Sequence, residues 1–302
     1  MSLPWRFDPL GVAGALVPVS GTRGVFLTSG GAVVSSAMTM SGGTVGTGYP
    51  GNTMNVYSRG KAIEQTVAAG GSMTLSSGGV ATSAVVTSGG TVLVSSGGVA
   101  NSAIVGSGAK AFVNGGLMQS STLYGNGVLY VSSGGIASAL TVMGTSAGGA
   151  IIYVYNGGVI RDCLVTRQSA AVPAYTQVYI FTGGKVSGTT FDRAQTLHIS
   201  SGGNDYNSVL NGYMNVFSSG VTNSAIINSV GSMTIRANGI ANNATIMSGG
   251  YMIVSSGGIA SYAIVSSGGV LTVSSGGAAF DVTSAAGAST IILEGGTITY
   301  KQ

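Results

Sequence analysis

The chain has 302 residues, with 44% hydrophobic and only 6% charged residues, a net charge of +4 and 53 glycines. Disorder needs low hydrophobicity and high charge, so this composition excludes it despite the glycine. The eleven basic residues are dispersed and lack interleaved aromatics, which argues against a nucleic-acid partner, and the single cysteine, Cys163, excludes an intrachain disulfide.

Residues 1–23 stand apart from the rest of the chain. An apolar stretch runs from Leu10 to Val19, but Asp8, Pro9 and Pro18 spoil it as a signal peptide. We expect an N-terminal cap or arm, in which Trp5 and Phe7 cover the first turn or dock on another subunit. No membrane insertion is expected, since glycine turns cut every apolar run well short of ~18 residues.

From residue 24 a glycine beat governs the chain. Gly79 and Gly98 are 19 residues apart, and so are Gly220, Gly239, Gly258, Gly277 and Gly296. A constant period of this size marks a solenoid in which each repeat packs only on its neighbours. A second glycine turn divides each unit into eleven and eight residues, as in VATSAVVTSGG and TVLVSSGG over residues 80–98. Such short runs rich in Val, Ile and Thr, bounded by Ser and Gly, read as strands. The expected fold is all-β: a right-handed parallel β-helix of about 14 turns, one domain over residues 24–300.

Aligning the units shows which side chains should point inward. In the eight-residue segment the second position (Met54, Met73, Val92, Met214, Met233, Met252) and the fourth (Val56, Leu75, Val94, Val216, Ile235, Val254) are always apolar. The first and third positions vary, and period-two alternation assigns the constant pair to the core. In the eleven-residue segment the first (Val80, Val99, Ile136, Val221, Ile240, Ile259), fifth (Ala84, Ala103, Ala225) and seventh positions (Val86, Val105, Ile227) are expected inside. The third position often holds Asn or Ser. Either a hydrogen-bonded ladder or simple turn preference accounts for it.

The beat lapses in the middle, where intervals of 23 and 26 residues (Gly135 to Gly158 to Gly184) predict loop insertions around 136–184. Polar chemistry concentrates in and near this stretch, and loops on a rigid scaffold often bind partners. Arg161, Asp162, Arg167, Tyr175, Asp192 and Arg193 are therefore the candidate interface, together with Trp5 and Phe7 of the arm. A tolerated insertion is the bland alternative.

Catalytic signals are weak. A glycan-degrading β-helix needs carboxylates paired on adjacent turns or holding a cation beside a base. Asp162, Asp192 and Asp205 fall in three different repeat columns, and the GGNDYN at 202–207 lacks the repeated aspartates of calcium-binding rolls. No catalytic residue, metal ligand or cofactor site is assigned. A lyase, a glycosidase or a tailspike-like glycan binder remains the alternative reading.

The VSSGGVA and GGTVLVSSGG segments, at Val94 to Ala100 and Gly89 to Gly98 and again at Val254 to Ala260, resemble the 19-residue repeats of AIDA-type autotransporter passenger domains. The resemblance spans roughly residues 24–300. It implies a structural, adhesive or self-associating surface protein of a Gram-negative bacterium, in some members glycosylated on Ser and Thr by a dedicated heptosyltransferase. The repeats run on to TIILEGGTITYKQ without a translocator barrel or an evident polar cap. From that we expect an extracellular rod whose partner is itself, end to end or laterally, with surface glycans as a second partner.

Overall fold

The computed structural model describes residues 25–28, 31–34, 39–46, 53–169, 171 and 174–302. Trp5, Phe7 and the expected cap over residues 1–23 lie outside them. Every named element is a β-strand, and the strands form two long sheets of 15 and 24 strands. Pairing between these strands is parallel throughout except at Val25–Thr28 with Gly31–Val34, and each strand meets its counterpart one turn on, as Thr91 meets Ser72 before it and Lys110 after it. This is a parallel β-solenoid of about 13 turns with a spacing near 19 residues. At ~4.8 Å per turn the rod is roughly 60 Å long.

Each eight-residue segment supplies a strand of the 15-stranded sheet, and its two constant positions are inside as expected. Met54, Met73, Met233 and Met252 are fully buried, as are Val56, Leu75, Ile235 and Val254. The methionines therefore fill the core. Burial depends on the next turn: Ile292, in the column of buried Val254 and Val273, is 50% exposed because no turn lies above it in the structure.

The eleven-residue segment corrects one expectation. Its fifth and seventh positions are inside, but its first is not: Val80, Val99, Ile136, Val221 and Ile240 are half-buried and Ile259 is exposed. The small second residues, Ala81, Ala100, Ala137, Ala241 and Ala260, fill the core instead. The cause is the fourth position, where Ser83, Ser102, Asp162, Asn243 and Tyr262 all adopt φ between 52° and 57°. A left-handed residue bends the strand and shifts the in-out alternation, so inward positions fall at two and five rather than one and five.

The third-position ladder exists in part. Asn242 Nδ2 donates to Asn223 Oδ1 at 3.1 Å, and Asn223 Nδ2 reaches Asp205 O at 3.4 Å. Asn101 Oδ1, in the same column, is buried without a partner. Turn preference and a short ladder therefore share the column.

Candidate functional site

Both middle insertions leave at the same corner, the one leading into the 15-stranded sheet. Strand register runs through undisturbed, with Val128 opposite Ile151 and Ile151 opposite Gln177. In the first insertion Thr145 and Gly148 exchange backbone hydrogen bonds of 2.9 Å, and Asn126 Nδ2 donates to Ala147 O. The second is held by Gln195, which is fully buried. Its Oε1 accepts from Thr176 N at 2.7 Å, and its Nε2 donates to Ala174 O at 3.2 Å. A buried amide must satisfy its groups, so this one fixes where the loop returns to the sheet.

The candidate interface residues divide into two places. Arg167, Tyr175, Asp192 and Arg193 belong to the insertion corner, with Tyr175 59% exposed. Arg161 and Asp162 sit at the left-handed bend, and Asp162 has φ 55°. Asp205 joins neither group, since it lies in the core. Ser208 Oγ donates to its Oδ1, and Thr222 Oγ1 donates to Oδ2 at 2.7 Å. Burial first of all lifts its carboxyl to about 6, against the smaller opposing effect of these hydrogen bonds. Asp162, Asp192 and Asp205 thus occupy the bend, the insertion corner and the interior. Among the described residues no three of His, Cys, Asp and Glu are placed to hold a metal ion.

Cys163 follows Asp162 and is buried, with Sγ 3.2 Å from Arg161 O. Burial pushes its thiol up to about 11. Native Cys163 is expected to react with iodoacetamide at pH 8 on the order of 100-fold more slowly than in the unfolded chain. Equal rates would show that the solenoid opens at this turn.

The most distinctive surface was not anticipated from the sequence. On the outer face of the 15-stranded sheet, the third strand position in successive turns is Phe112, Tyr130, Tyr153, Tyr179 and His198. Their rings stack: Phe112 on Tyr130 at 4.8 Å, Tyr130 on Tyr153 at 5.3 Å, Tyr153 on Tyr179 at 5.5 Å, and Tyr179 on His198 at 4.6 Å. The interplanar angles are 7° to 20°. Parallel strands repeat at ~4.8 Å, within the range in which aromatic rings attract, so in-register rings stack along the rod. Beside this column Tyr155 stacks on Phe181 at 5.2 Å. His198 leads on to Phe217 at 6.0 Å, over which the Arg236 guanidinium sits at 5.3 Å.

Burial, then Arg236, lowers the His198 pKa below its ordinary value, so neutral imidazole is favoured in the stack. Burial, then Tyr153, raises that of Tyr179 and keeps its phenol protonated. The signal was in the sequence, but the intervals between these residues are 18, 23, 26 and 19. The column aligns only when the insertions are assigned to the corner before the strand.

No family model matches the chain, and no curated protein matches it by sequence. Among solved structures it is similar to a TibC-catalyzed hyper-glycosylated fragment of TibA. Identity is 29%, the TM-score is 0.82, and the likeness covers 90% of this chain and 96% of that one.

Proposed function

We propose that this chain is an adhesive surface rod of the AIDA type, exposed on a Gram-negative bacterium, that associates with itself and with surface glycans. The carrying observation is the likeness to the TibA fragment, which extends along nearly all of both chains. The separation of Asp162, Asp192 and Asp205 into three settings favours this reading over a glycan-cleaving enzyme, whose carboxylates must converge. Exposed large apolar side chains such as Tyr262 at 55% and Ile264 at 46% supply contact area of the kind that marks interaction sites. By analogy with the TibA fragment, the exposed serines of the glycine corners, such as Ser77, Ser96 and Ser256, are the acceptors for glycosylation.

Two measurements test the reading. Sedimentation velocity of the purified chain from about 1 to 100 μM, a range set by typical weak interfaces, is expected to show association that grows with concentration. Non-adherent bacteria displaying the chain are expected to clump and to bind glycan-coated surfaces. A monomer at every concentration, with no gain of adhesion on display, refutes it.

A further inference from the structure

Among the described residues, the aromatic face differs from the rest of the outer surface in two respects. First, its rings are stacked on one another, so their faces are already occupied. The edges point outward, and the edge of an aromatic ring carries partial positive charge. Second, the sheet bearing them has no carboxylate: none of its strands from Thr53 to Ile292 contains Asp or Glu. The one charged residue within those strands is Lys110, beside Phe112, and Arg236, just past the end of Ser232–Ile235, is held over Phe217. The adjoining insertion corner adds Arg167 and Arg193 against Asp192. The whole is a carboxylate-free strip that carries Lys110 and Arg236 towards its two ends and, between them, the phenols of Tyr130, Tyr153 and Tyr179 on successive turns ~4.8 Å apart.

We propose that this strip binds an anionic polysaccharide, a polymer whose repeating carboxylates meet the ring edges and cations while its hydroxyls bond to the tyrosine phenols. The assignment rests on the adhesive reading above and supplies its ligand class. A neutral glycan binds aromatic residues by laying sugar rings on exposed ring faces. Here Tyr130, Tyr153 and Tyr179 have given both faces to their neighbours. Affinity must therefore come from charge and edge contacts, and many weak contacts at a fixed repeat suit a repeating polymer. An acidic peptide shares the charge but not the regular hydroxyl spacing.

Isothermal titration of the full chain against polygalacturonate, dextran and poly-glutamate at low ionic strength tests this. Polygalacturonate is expected to bind and to weaken steeply with added salt, with no heat from dextran. The Lys110→Gln/Arg236→Gln double variant, which leaves the ring stack of Tyr130, Tyr153 and Tyr179 intact, is expected to lose about tenfold in affinity. Tyr153→Leu/Tyr179→Leu, checked for an unchanged fold by circular dichroism, is expected to lose at least as much. Dextran binding as well as polygalacturonate, or no response to either double variant, overturns the assignment. Equal binding of poly-glutamate makes the strip an acidic-peptide site and also overturns it. If displaying bacteria adhere while the purified chain ignores polygalacturonate, the ligand assignment falls and the adhesive reading stands. Binding in solution with no adhesion on display gives the reverse.

Discussion

Gly98→Ala is expected to destabilise the protein by about 3 kcal/mol, because the added methyl has nowhere to go. A Cβ on Gly98 would lie 2.3 Å from the carbonyl oxygen of Leu75 and 2.5 Å from its carbon, both backbone atoms of the turn beneath. The same holds along the corner: a Cβ would stand 2.0 Å from Val56 O at Gly79, 2.1 Å from Val113 O at Gly135 and 2.5 Å from Val216 O at Gly239. Each of these glycines crosses the carbonyl at the end of the strand below, where that strand turns away. The collision is with main chain, so relief requires the turns to separate, and the stacked core opens with them.

Gly70→Ala is the matching control. Gly70 has φ +74° and nothing within 4 Å of an added methyl, so only backbone strain of about 1 kcal/mol is expected. Left-handed turn positions elsewhere accept side chains, among them Val230 at φ 66° and Ala194 at φ 70°. Urea unfolding followed by circular dichroism separates the two mechanisms. If Gly98→Ala and Gly70→Ala cost the same, steric contact between turns is not what the 19-residue beat records.

The second large effect concerns pH. Asp205 has a folded pKa of about 6 against an ordinary 3.8, so the fold prefers its protonated form. Its contribution to stability is full below about pH 4, declines as pH rises through 6, and is constant above that. The difference of about two units corresponds to about 3 kcal/mol. Asp205 thus makes the wild-type protein more stable at pH 4 than at pH 8, the reverse of a paired carboxylate, while His198, with its lowered pKa, draws the other way as pH falls.

Asp205→Asn keeps the shape and removes the charge, and the Ser208 and Thr222 hydroxyls remain as partners. The variant is expected to lose the acid-side gain and to exceed wild type at pH 8 by about 2 kcal/mol. Denaturant midpoints from pH 4 to 8 provide the check. Parallel profiles for the two proteins would mean that Asp205 reaches water through local opening.

The effect is local because the same interior column is uncharged in the other turns, with Ala100, Met118, Ala137, Ile160, Val186, Thr222, Ala241 and Ala260. A carboxyl there is an exception to the repeat. As a sequence feature Asp205 looked like one acid among several in the polar middle of the chain. Burial, with two hydroxyls turned toward it, separates it from Asp162 and Asp192, which remain at the bend and the corner.

The sequence by itself determined the solenoid, the two glycine corners and the inward columns of the eight-residue segment. All three follow from local requirements repeated from turn to turn: a glycine over the carbonyl of the turn beneath, and apolar side chains at period two on a straight strand. The tertiary structure decided the rest. Whether Val80 or Ala81 faces the core depends on the left-handed bend at Ser83, which resets alternation and turns the second residue inward, where Ala81, Met118, Ile160 and Val186 are all buried. The aromatic strip is likewise a property of stacking, since Tyr130, Tyr153 and Tyr179 lie 23 and 26 residues apart and become neighbours only when the inserted residues leave at a corner. Strand pairing between turns converts those unequal intervals into one ~4.8 Å spacing, and at that spacing the rings close on one another.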